Sequence, residues 1–249
     1  MAVIGKLTYA QKKCVSLVGL CMQRTGMLRP GDRIGVAVSG GVDSFVLLKT
    51  LLLRRAIVPF PFEVMALHVN PGFSPESHQA LTRWCAREGV ALHAELTDFG
   101  PRAHSPENRK NSPCFFCAML RRKRLFRLCQ DYGLTHLAFG HNADDLVVTY
   151  FLNLMQNGRA DGLAIQEPFF EGRLQVVRPA LLVEKNFIRA AARHWALPVW
   201  ANDCPSNGKT RRDDMLGWLR ELWARDKAFR VNTFNALTKW QLGLTSARQ

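Results

Sequence analysis

The sequence predicts an α/β protein in which helices cover both faces of a parallel sheet. Two observations indicate this class. Short β-branched apolar runs alternate with helix-like patterns from residue 33 to residue 158, and a pair of glycines marks the first predicted strand-to-helix turn. Alternating strands and helices are typical of a parallel sheet that is buried on both faces. Ligands of such sheets bind at the carboxyl ends of the strands.

The predicted elements follow in chain order. Cys14, Val18 and Cys21 share the apolar face of an amphipathic helix over residues 8–28. The alternating part predicts strands over 33–39, 62–70, 91–99 and 136–141, and helices over 43–55, 75–89, 115–133 and 143–158. In the later part, residues 174–182 predict a short strand that leads into a Pro-containing connection. A helix over 184–196, a loop over 197–212, and helices over 213–226 and 228–243 follow. The polar segment 97–114 has no such pattern, and we expect it to be a mobile loop.

This pattern divides the chain into three parts. They are an N-terminal helical segment at 1–30, a sheet-containing domain at 31–200 and a C-terminal helical segment at 201–249. The chain has no run of about 18 uninterrupted apolar residues, which argues against a transmembrane helix. Its N-terminus lacks the apolar stretch and small-residue cleavage site of a signal peptide. We therefore expect a cytoplasmic protein without a membrane partner.

The charge of the chain is strongly positive. It has 34 Lys and Arg residues against 20 Asp and Glu residues, a formal charge of +14. Such an excess favours a polyanionic partner, with nucleic acid ahead of a membrane surface. A basic soluble protein without such a partner is the plainer interpretation.

The segment "SGGVDS" lies between the first predicted strand and its helix, where a phosphate-binding loop is expected. Gly40 and Gly41 let backbone N–H groups approach an anion, and the helix directs its positive end to the same place. Ser39 and Ser44 offer hydroxyl groups to phosphate oxygens. Asp43 would hold Mg²⁺ or cap the helix. The Gly-Lys-Ser/Thr ending of a Walker A loop is missing, and a tight turn with a helix cap is the structural alternative.

Three of the seven cysteines are candidate metal ligands. Cys114 and Cys117 form a C-x-x-C pair at the start of a predicted helix, and Cys204 lies in a polar loop. Three thiolates would leave one coordination position open, as in a reactive [4Fe–4S] cluster. A zinc site, a redox-active dithiol and inert buried thiols stay open as alternatives. The other four cysteines, Cys14, Cys21, Cys85 and Cys129, fall within helical patterns and are expected in the core.

Acidic and basic groups surround the same region. His141, Asp144 and Asp145 stand where a strand becomes a helix, so they would face the glycine loop from a neighbouring strand end. The carboxylates would hold Mg²⁺ or orient substrate, or simply favour the helix N-terminus. Cations follow the cysteines, and we expect them to form a basic rim for RNA, with solvated helix faces as the alternative: Arg121, Arg122, Lys123, Arg124, Lys209, Arg211 and Arg212.

The loop resembles the SGGxDS loop of the PP-loop ATP pyrophosphatases, whose fold is that of the adenine nucleotide alpha hydrolases. Together with "PCFFCAMLRRKRLF", "FGHNADDLVVTYFLNLMQNG" and "NDCPSNGKTRRDDMLGWLRE", it resembles the tRNA-cytidine 2-sulfurtransferase (TtcA) family from about residue 10 to about residue 240. That resemblance implies an enzyme that binds Mg·ATP, adenylates O2 of cytidine 32 in tRNA, and thiolates C2 with a three-cysteine [4Fe–4S] cluster. The family loop usually has Lys where this chain has Val42.

The resemblance implies roles for individual residues. Asp43, Asp144, Asp145 and Arg122 would be catalytic, with Arg122 favoured over Arg121. ATP would be bound by Ser39, Gly40, Gly41, Asp43, Ser44 and His141; the cluster by Cys114, Cys117 and Cys204; and RNA by Arg121, Lys123, Arg124, Lys209, Arg211 and Arg212. A sulfur donor such as a cysteine desulfurase is implied as a partner, and a homodimer is one option.

Three other functions remain open on the sequence. One is a tRNA ligase resembling lysidine synthetase, which needs no cluster. Another is a metal-binding RNA-interaction module without catalysis, which the intact loop and acidic segment argue against. The third is an adenylating enzyme for a small molecule, which the +14 charge argues against.

Overall fold

A six-stranded, mostly parallel sheet organises the chain. The structure is a computed structural model that describes residues 6–201 and 203–243, except for the side chains of residues 240 and 241. The strand order is β3-β2-β1-β4-β6-β5, and only β5 is antiparallel to its neighbour. The strands are β1 (Arg33–Ala37), β2 (Glu63–Asn70), β3 (Ala91–Leu96), β4 (His136–Ala138), β5 (Gln166–Phe169) and β6 (Leu174–Val177).

Helices connect and cover these strands. They are α1 (Tyr9–Thr25), α2 (Val42–Arg55), α3 (Gln79–Glu88), α4 (Phe99–Ala103), α5 (Pro113–Asp131), α6 (Ala143–Asn157), α7 (Lys185–His194), α8 (Arg211–Arg225) and α9 (Lys227–Gln241). Thr8, Asn142 and Thr210 begin α1, α6 and α8 with reciprocal capping boxes. Each cap satisfies backbone donors that the first helical turn leaves unpaired. No helix in the described part is long and apolar enough to span a membrane.

Three apolar clusters hold the layers together. On one face of the sheet, α1, α2 and α7 pack against one another and around the fully buried Phe45. On the other face, α5 packs on β2 and β4 through Leu125 and Leu128. A third cluster joins α8 and α9 to α6 through Leu146 and Leu219. The C-terminal helices therefore pack on the helix that begins beside the phosphate loop.

The structure confirms the predicted α/β class and departs from the predicted elements in two places. The sequence analysis missed β5, which pairs antiparallel with β6 at the edge of the sheet. The segment 97–114, expected to be a mobile loop, contains α4 and a hydrogen-bonded turn. In that turn Asn108 Nδ2 donates to the carbonyl oxygens of Ala103 at 3.0 Å and Asn111 at 2.8 Å. Side chain-to-backbone bonds order this polar segment without an apolar pattern.

Candidate active site

The phosphate loop lies at the carboxyl end of β1. Ser44 Oγ donates to the Gly41 carbonyl at 2.9 Å and accepts from the Ser39 amide at 3.1 Å. Ser39 Oγ accepts from the Gly41 amide at 3.3 Å. These bonds fold the loop tightly before the first turn of α2, where helix amide groups and the helix dipole favour an anion.

Two glycines allow other elements to approach this loop closely. Gly40 has φ +92°, and a Cβ atom there would lie 2.1 Å from the Trp200 ring, whose own backbone amide donates to the Gly40 carbonyl at 3.2 Å. At Gly140, just after β4, a Cβ atom would lie 2.9 Å from the backbone of Asp43 and Ser44. Both contacts require glycine, because any side chain would clash there. The end of β4 and the segment 197–210 therefore pack directly against the loop.

Asp43 connects the loop to two other elements. Its carboxylate accepts from Asn142 Nδ2 at 2.9 Å and from the Lys185 ammonium group at the start of α7. Burial raises the pKa of Asp43, the Lys185 charge lowers it, and the nearby Asp145 charge raises it. Two carboxylates close enough to influence each other are oxygen ligands of the kind that Mg²⁺ prefers, so the residues present fit that ion.

Asp144 and Asp145 both carry ion pairs to the C-terminal helices. Asp145 accepts from the Asn142 backbone amide at 2.9 Å and from Arg212 of α8 at 2.6 Å. Asp144 accepts from Arg230 of α9 at 2.6 Å, and Arg230 also pairs with Glu184. Asp145 therefore lies beside the loop. Asp144, also predicted to be catalytic, instead lines a separate cavity with Glu184 and Arg230. Each carboxylate is ion-paired to one of the two C-terminal helices.

His141 is neutral at physiological pH. Burial lowers its pKa to about 4; the Asp145 charge opposes this, and the charges of Arg178, Arg212 and Arg122 add to it. Its Nδ1 atom is buried without a hydrogen-bond partner among the described residues. A neutral ring offers one donor and one acceptor, so this side chain suits hydrogen bonding to a ligand better than charge stabilisation.

A cavity of about 240 Å³ opens beside the loop, at the carboxyl ends of β1 and β2. His68 lines it and is only 1% exposed. His68 Nδ1 lies 2.7 Å from the Val38 carbonyl, so Nδ1 carries the hydrogen and Nε2 is an acceptor without a partner in the described chain. The remaining lining includes Ser39, Gly41, Asn70, Phe73, Arg121 and Trp200. His68 and Asn70 were missed as site residues, although polar residues at a strand's carboxyl end were a usable signal.

The three candidate ligand cysteines lie in the region of this cavity, since Cys117 interacts with Arg121 and Cys204 follows Asp203, and both Arg121 and Asp203 line the cavity. Burial raises the pKa of Cys117, Arg121 lowers it, and the charges of Cys204 and Cys114 raise it, which places the other two thiols within electrostatic reach of Cys117. Cys114 is exposed, and the other two are half-buried. Within the described residues, however, no three His, Cys, Asp or Glu side chains stand close enough to hold a metal ion. The donor set therefore fits a thiolate-bound metal in chemistry, while the spacing is wider than ligation requires.

The remaining cysteines are core residues, as predicted. Cys14, Cys21, Cys85 and Cys129 are buried, and burial raises the pKa of each thiol to about 12. Such thiols stay protonated and unreactive at neutral pH.

The basic helix α5 distributes its cations over several surfaces. Arg121, expected to contact RNA, lines the cavity beside the loop, and its Nε atom is buried without a partner among the described residues. Arg122, expected to be catalytic, is exposed, though close enough to lower the pKa of His141. Arg124 forms a two-bond ion pair with Glu95 at 2.7 and 2.9 Å. The helix therefore presents Arg121, rather than Arg122, to the cavity beside the phosphate loop.

The other cations predicted to contact RNA are spread over different parts of the structure. Lys123 borders a second cavity of about 520 Å³ together with Phe126, Arg127, Phe170 and Arg173. Arg212 is engaged with Asp145, and Arg211 donates to Gln156 at 3.4 Å. Lys209 is exposed just before α8.

The segment that carries Cys204 is bonded to three surrounding elements. Trp200 donates to Gly40, Asp203 accepts from the Ser74 hydroxyl, and Ser206 Oγ lies 2.9 Å from His104 Nε2. These bonds hold the cysteine loop over the carboxyl edge of the sheet, so the phosphate loop, the cavity and the three thiols form one site.

The chain matches one family model and is similar to known proteins that share one name. A family model of the PP-loop domain matches residues 18–213. The chain is 33% identical over 239 residues to the tRNA-cytidine(32) 2-sulfurtransferase of Geobacter sulfurreducens, covering 95% of this chain and 92% of that protein. It is also 33% identical over 217 residues to the protein of the same name from Bordetella petrii, covering 86% of this chain and 66% of that longer protein.

A solved structure shares the fold. The U34-tRNA thiolase NcsA of Methanococcus maripaludis, solved with its [4Fe-4S] cluster, superposes with a TM-score of 0.73 at 19% identity, covering 92% of this chain and 76% of that chain. The family match spans the phosphate loop, the paired carboxylates and all three edge cysteines. The chain therefore belongs to the tRNA-cytidine(32) 2-sulfurtransferase family of PP-loop enzymes.

Proposed function

We propose that this enzyme thiolates tRNA at C2 of a pyrimidine, cytidine 32, at the expense of ATP. The observation that carries the proposal is that a phosphate loop, the carboxylates of Asp43 and Asp145, and three cysteines lie at one edge of the sheet. A phosphate loop alone supports many adenylating reactions. The thiols beside it favour sulfur transfer among them.

ATP would lie across the loop with its phosphates at the start of α2. Amide groups of residues 39–44 and the hydroxyls of Ser39 and Ser44 would bind phosphate oxygens. Asp43, supported by Asp145, would hold Mg²⁺. The cavity with His68, Asn70 and Trp200 is of a size and composition that suit a purine, because His68 Nε2 can accept a hydrogen bond from an exocyclic amino group.

The first reaction step would activate the base. The base O2 oxygen would form a bond to the α-phosphorus while the α–β phosphoanhydride bond breaks and pyrophosphate leaves. Cations and helix amides at the loop stabilise the departing charge, and Arg121 stands at the cavity beside it. Sulfur would then bond to C2 as the C2–O bond breaks, and AMP would leave with the former O2 atom.

Cys114, Cys117 and Cys204 would hold a [4Fe–4S] cluster, which when bound supplies the place where the sulfur atom is carried. For ligation the three thiols must lie closer together than they do here. The sulfur itself must come from a donor such as a cysteine desulfurase. The neutral His141 and Arg121 would border the transfer site and orient the base.

Transfer RNA would reach this edge through its backbone charge. The chain carries +14, and cations surround the site and extend along α5 to the second cavity. There, Lys123, Arg127 and Arg173 stand beside the aromatic rings of Phe126 and Phe170, a combination suited to RNA phosphates and an unstacked base. The target base must leave its stack for O2 to reach the α-phosphorus.

The test is a thiolation assay on a tRNA transcript. The anaerobically reconstituted enzyme is mixed with Mg·ATP, a sulfide source and tRNA, and 2-thiocytidine is measured by mass spectrometry together with pyrophosphate. Wild type should form both products. Cys204→Ala should lose 2-thiocytidine, whereas Cys129→Ala, which removes a buried thiol remote from ligation, should retain it.

Three results would contradict the proposal. Release of pyrophosphate with tRNA but no sulfur incorporation would favour the ligase. Binding of tRNA without any pyrophosphate release would favour a non-catalytic module. Full thiolation by Cys204→Ala would remove the three-cysteine site from the mechanism.

A further inference from the structure

Lys185 is placed against the usual preference of a helix start. It is the first residue of α7, where the helix dipole disfavours a cation. Its ammonium group nevertheless reaches the phosphate loop and pairs with Asp43, 142 positions earlier in the chain. The Lys185 side chain is 24% exposed, so this pair is largely shielded from solvent. A half-buried cation in an unfavourable position indicates a role at the loop rather than in the helix.

The loop itself supplies no positive side chain. Residues 39–44 contain the carboxylate of Asp43, and Val42 occupies the first position of α2. A bound triphosphate adds several negative charges to this place. Arg121 faces the adjacent cavity from α5, on the side of β2. On the side of Asp43, Lys185 is the cation that the described residues bring into contact with the loop.

We propose that Lys185 is the phosphate-binding cation of this site and that it works by exchange of partners. This inference rests on the proposed ATP-dependent function. In the free chain Lys185 neutralises Asp43. When Mg·ATP binds, Asp43 would become a ligand of the metal ion, and the released Lys185 ammonium group would turn to the oxygens of the departing pyrophosphate. The buried carboxylate is thus accompanied by a cation in both states, and the loop needs no lysine at position 42.

An exchange of partners predicts that the loss of Lys185 lowers both the Mg²⁺ requirement and the Mg·ATP affinity. In Lys185→Ala, Asp43 has lost its competing ammonium group, so half-maximal ATP binding should need less Mg²⁺. The phosphates have also lost a cation, so the dissociation constant for Mg·ATP should rise roughly 10- to 100-fold, the range of one charged hydrogen bond. A merely structural role would weaken ATP binding without lowering the Mg²⁺ requirement.

The decisive variant restores the cation from another position. Val42→Lys in the Lys185→Ala background should recover most of the lost Mg·ATP affinity, because the new side chain starts in the loop itself. Lys49→Ala is the matched control, since it removes a half-buried lysine of α2 that pairs with Glu88 at 2.7 Å. It should leave ATP binding unchanged. Binding is measured by titration calorimetry with Mg·ATP, and urea unfolding confirms that each variant is folded.

Unchanged Mg·ATP binding in Lys185→Ala would overturn the inference, and so would failure of Val42→Lys to restore affinity to a folded double variant. The calorimetric readout needs neither tRNA nor sulfur. A wild type that binds Mg·ATP but thiolates no tRNA would therefore refute the proposed function while still testing Lys185. A thiolating wild type with an unaffected Lys185→Ala would refute only the role of Lys185.

Discussion

His68 and His141 are buried imidazoles whose neutral form the fold favours. Burial lowers the pKa of each to about 4 from 6.5. The unfolded chain therefore binds protons at a higher pH than the folded chain. The contribution of these residues to the free energy of unfolding is fully present above about pH 6.5. It is lost as the pH falls towards 4, at about 1.4 kcal/mol per pH unit for each histidine.

We expect His68→Gln to flatten this pH dependence. The free energy of unfolding, measured by urea titration between pH 7 and pH 4.5, should fall less steeply in the variant than in wild type. The exposed His194 provides the control, because His194→Gln should leave the slope unchanged. If the free energy of unfolding fell equally steeply with pH in wild type and in His68→Gln, His68 would titrate normally in the folded protein.

Gly140 tests how closely β4 must approach the loop. In Gly140→Ala the new methyl group meets the Asp43 and Ser44 backbone at 2.9 Å, so the loop must shift. We expect Mg·ATP affinity to fall roughly 5- to 150-fold, since overpacking against backbone costs roughly 1–3 kcal/mol. Gly217→Ala, in α8 with open space around the site, should leave affinity intact and raise the melting temperature slightly. Equal affinities for both variants would contradict the tight contact.

Individual site residues were predictable where a local pattern carries them. Ser39, Gly40, Gly41 and Ser44 were found because six consecutive residues turn a strand into a helix. Lys185 was missed because its partner lies 142 positions away and nothing in its neighbours distinguishes it from a surface lysine. That Arg121 rather than Arg122 lines the cavity depends on the rotation of α5, which the sequence pattern does not fix to within one residue.

Helices α8 and α9 are attached to the site through charge as well as apolar packing. Arg230 joins α9 to Asp144 and Glu184, with its guanidinium 5.4 Å from the Trp223 ring. We expect Arg230→Ala to loosen α9 by roughly 1–3 kcal/mol, the range for losing hydrogen bonds to charged groups. Hydrogen exchange in 227–239 should accelerate accordingly. The exposed Arg225→Ala should not change it, and unchanged exchange in both variants would mean that packing alone holds α9.

Elements with a strong apolar period were predicted well, and the two misses have a physical cause. β5 reads QEPF, with a proline and two polar residues, because an antiparallel edge strand needs only one paired side. Helix α4 is five residues long and is held by its neighbours rather than by its own pattern. Both elements owe their existence to tertiary contacts that a local window does not contain.

The charge of the whole molecule allows a test of the proposed RNA-binding surface. Replacing Lys123, Arg127 and Arg173 by glutamate should weaken tRNA binding and make it less salt-dependent. The slope of the logarithm of the binding constant against the logarithm of the salt concentration should become shallower by roughly 0.7–0.9 for each RNA phosphate that the variant no longer neutralises. Mg·ATP binding should be unchanged, because the second cavity shares no lining residue with the one beside the loop. Charge reversal of Arg24, Arg55 and Arg87 is the control of equal net charge, and an equal reduction of the slope there would show that only total charge matters.

The division of the seven cysteines by burial also has a practical consequence. Four are sealed in the core with pKa values near 12, and the remaining three meet at the carboxyl edge of the sheet, Cys114 the most exposed. Alkylation of the native protein should therefore tag only those three, because the four core thiols stay protonated and inaccessible. Cys114 should react first, since it is the most exposed. Each edge thiol that is already occupied would escape alkylation, so the number of tags on the chain would fall by one. The mass of the alkylated chain would therefore report how many of the three edge thiols are occupied, even in a sample without visible absorption.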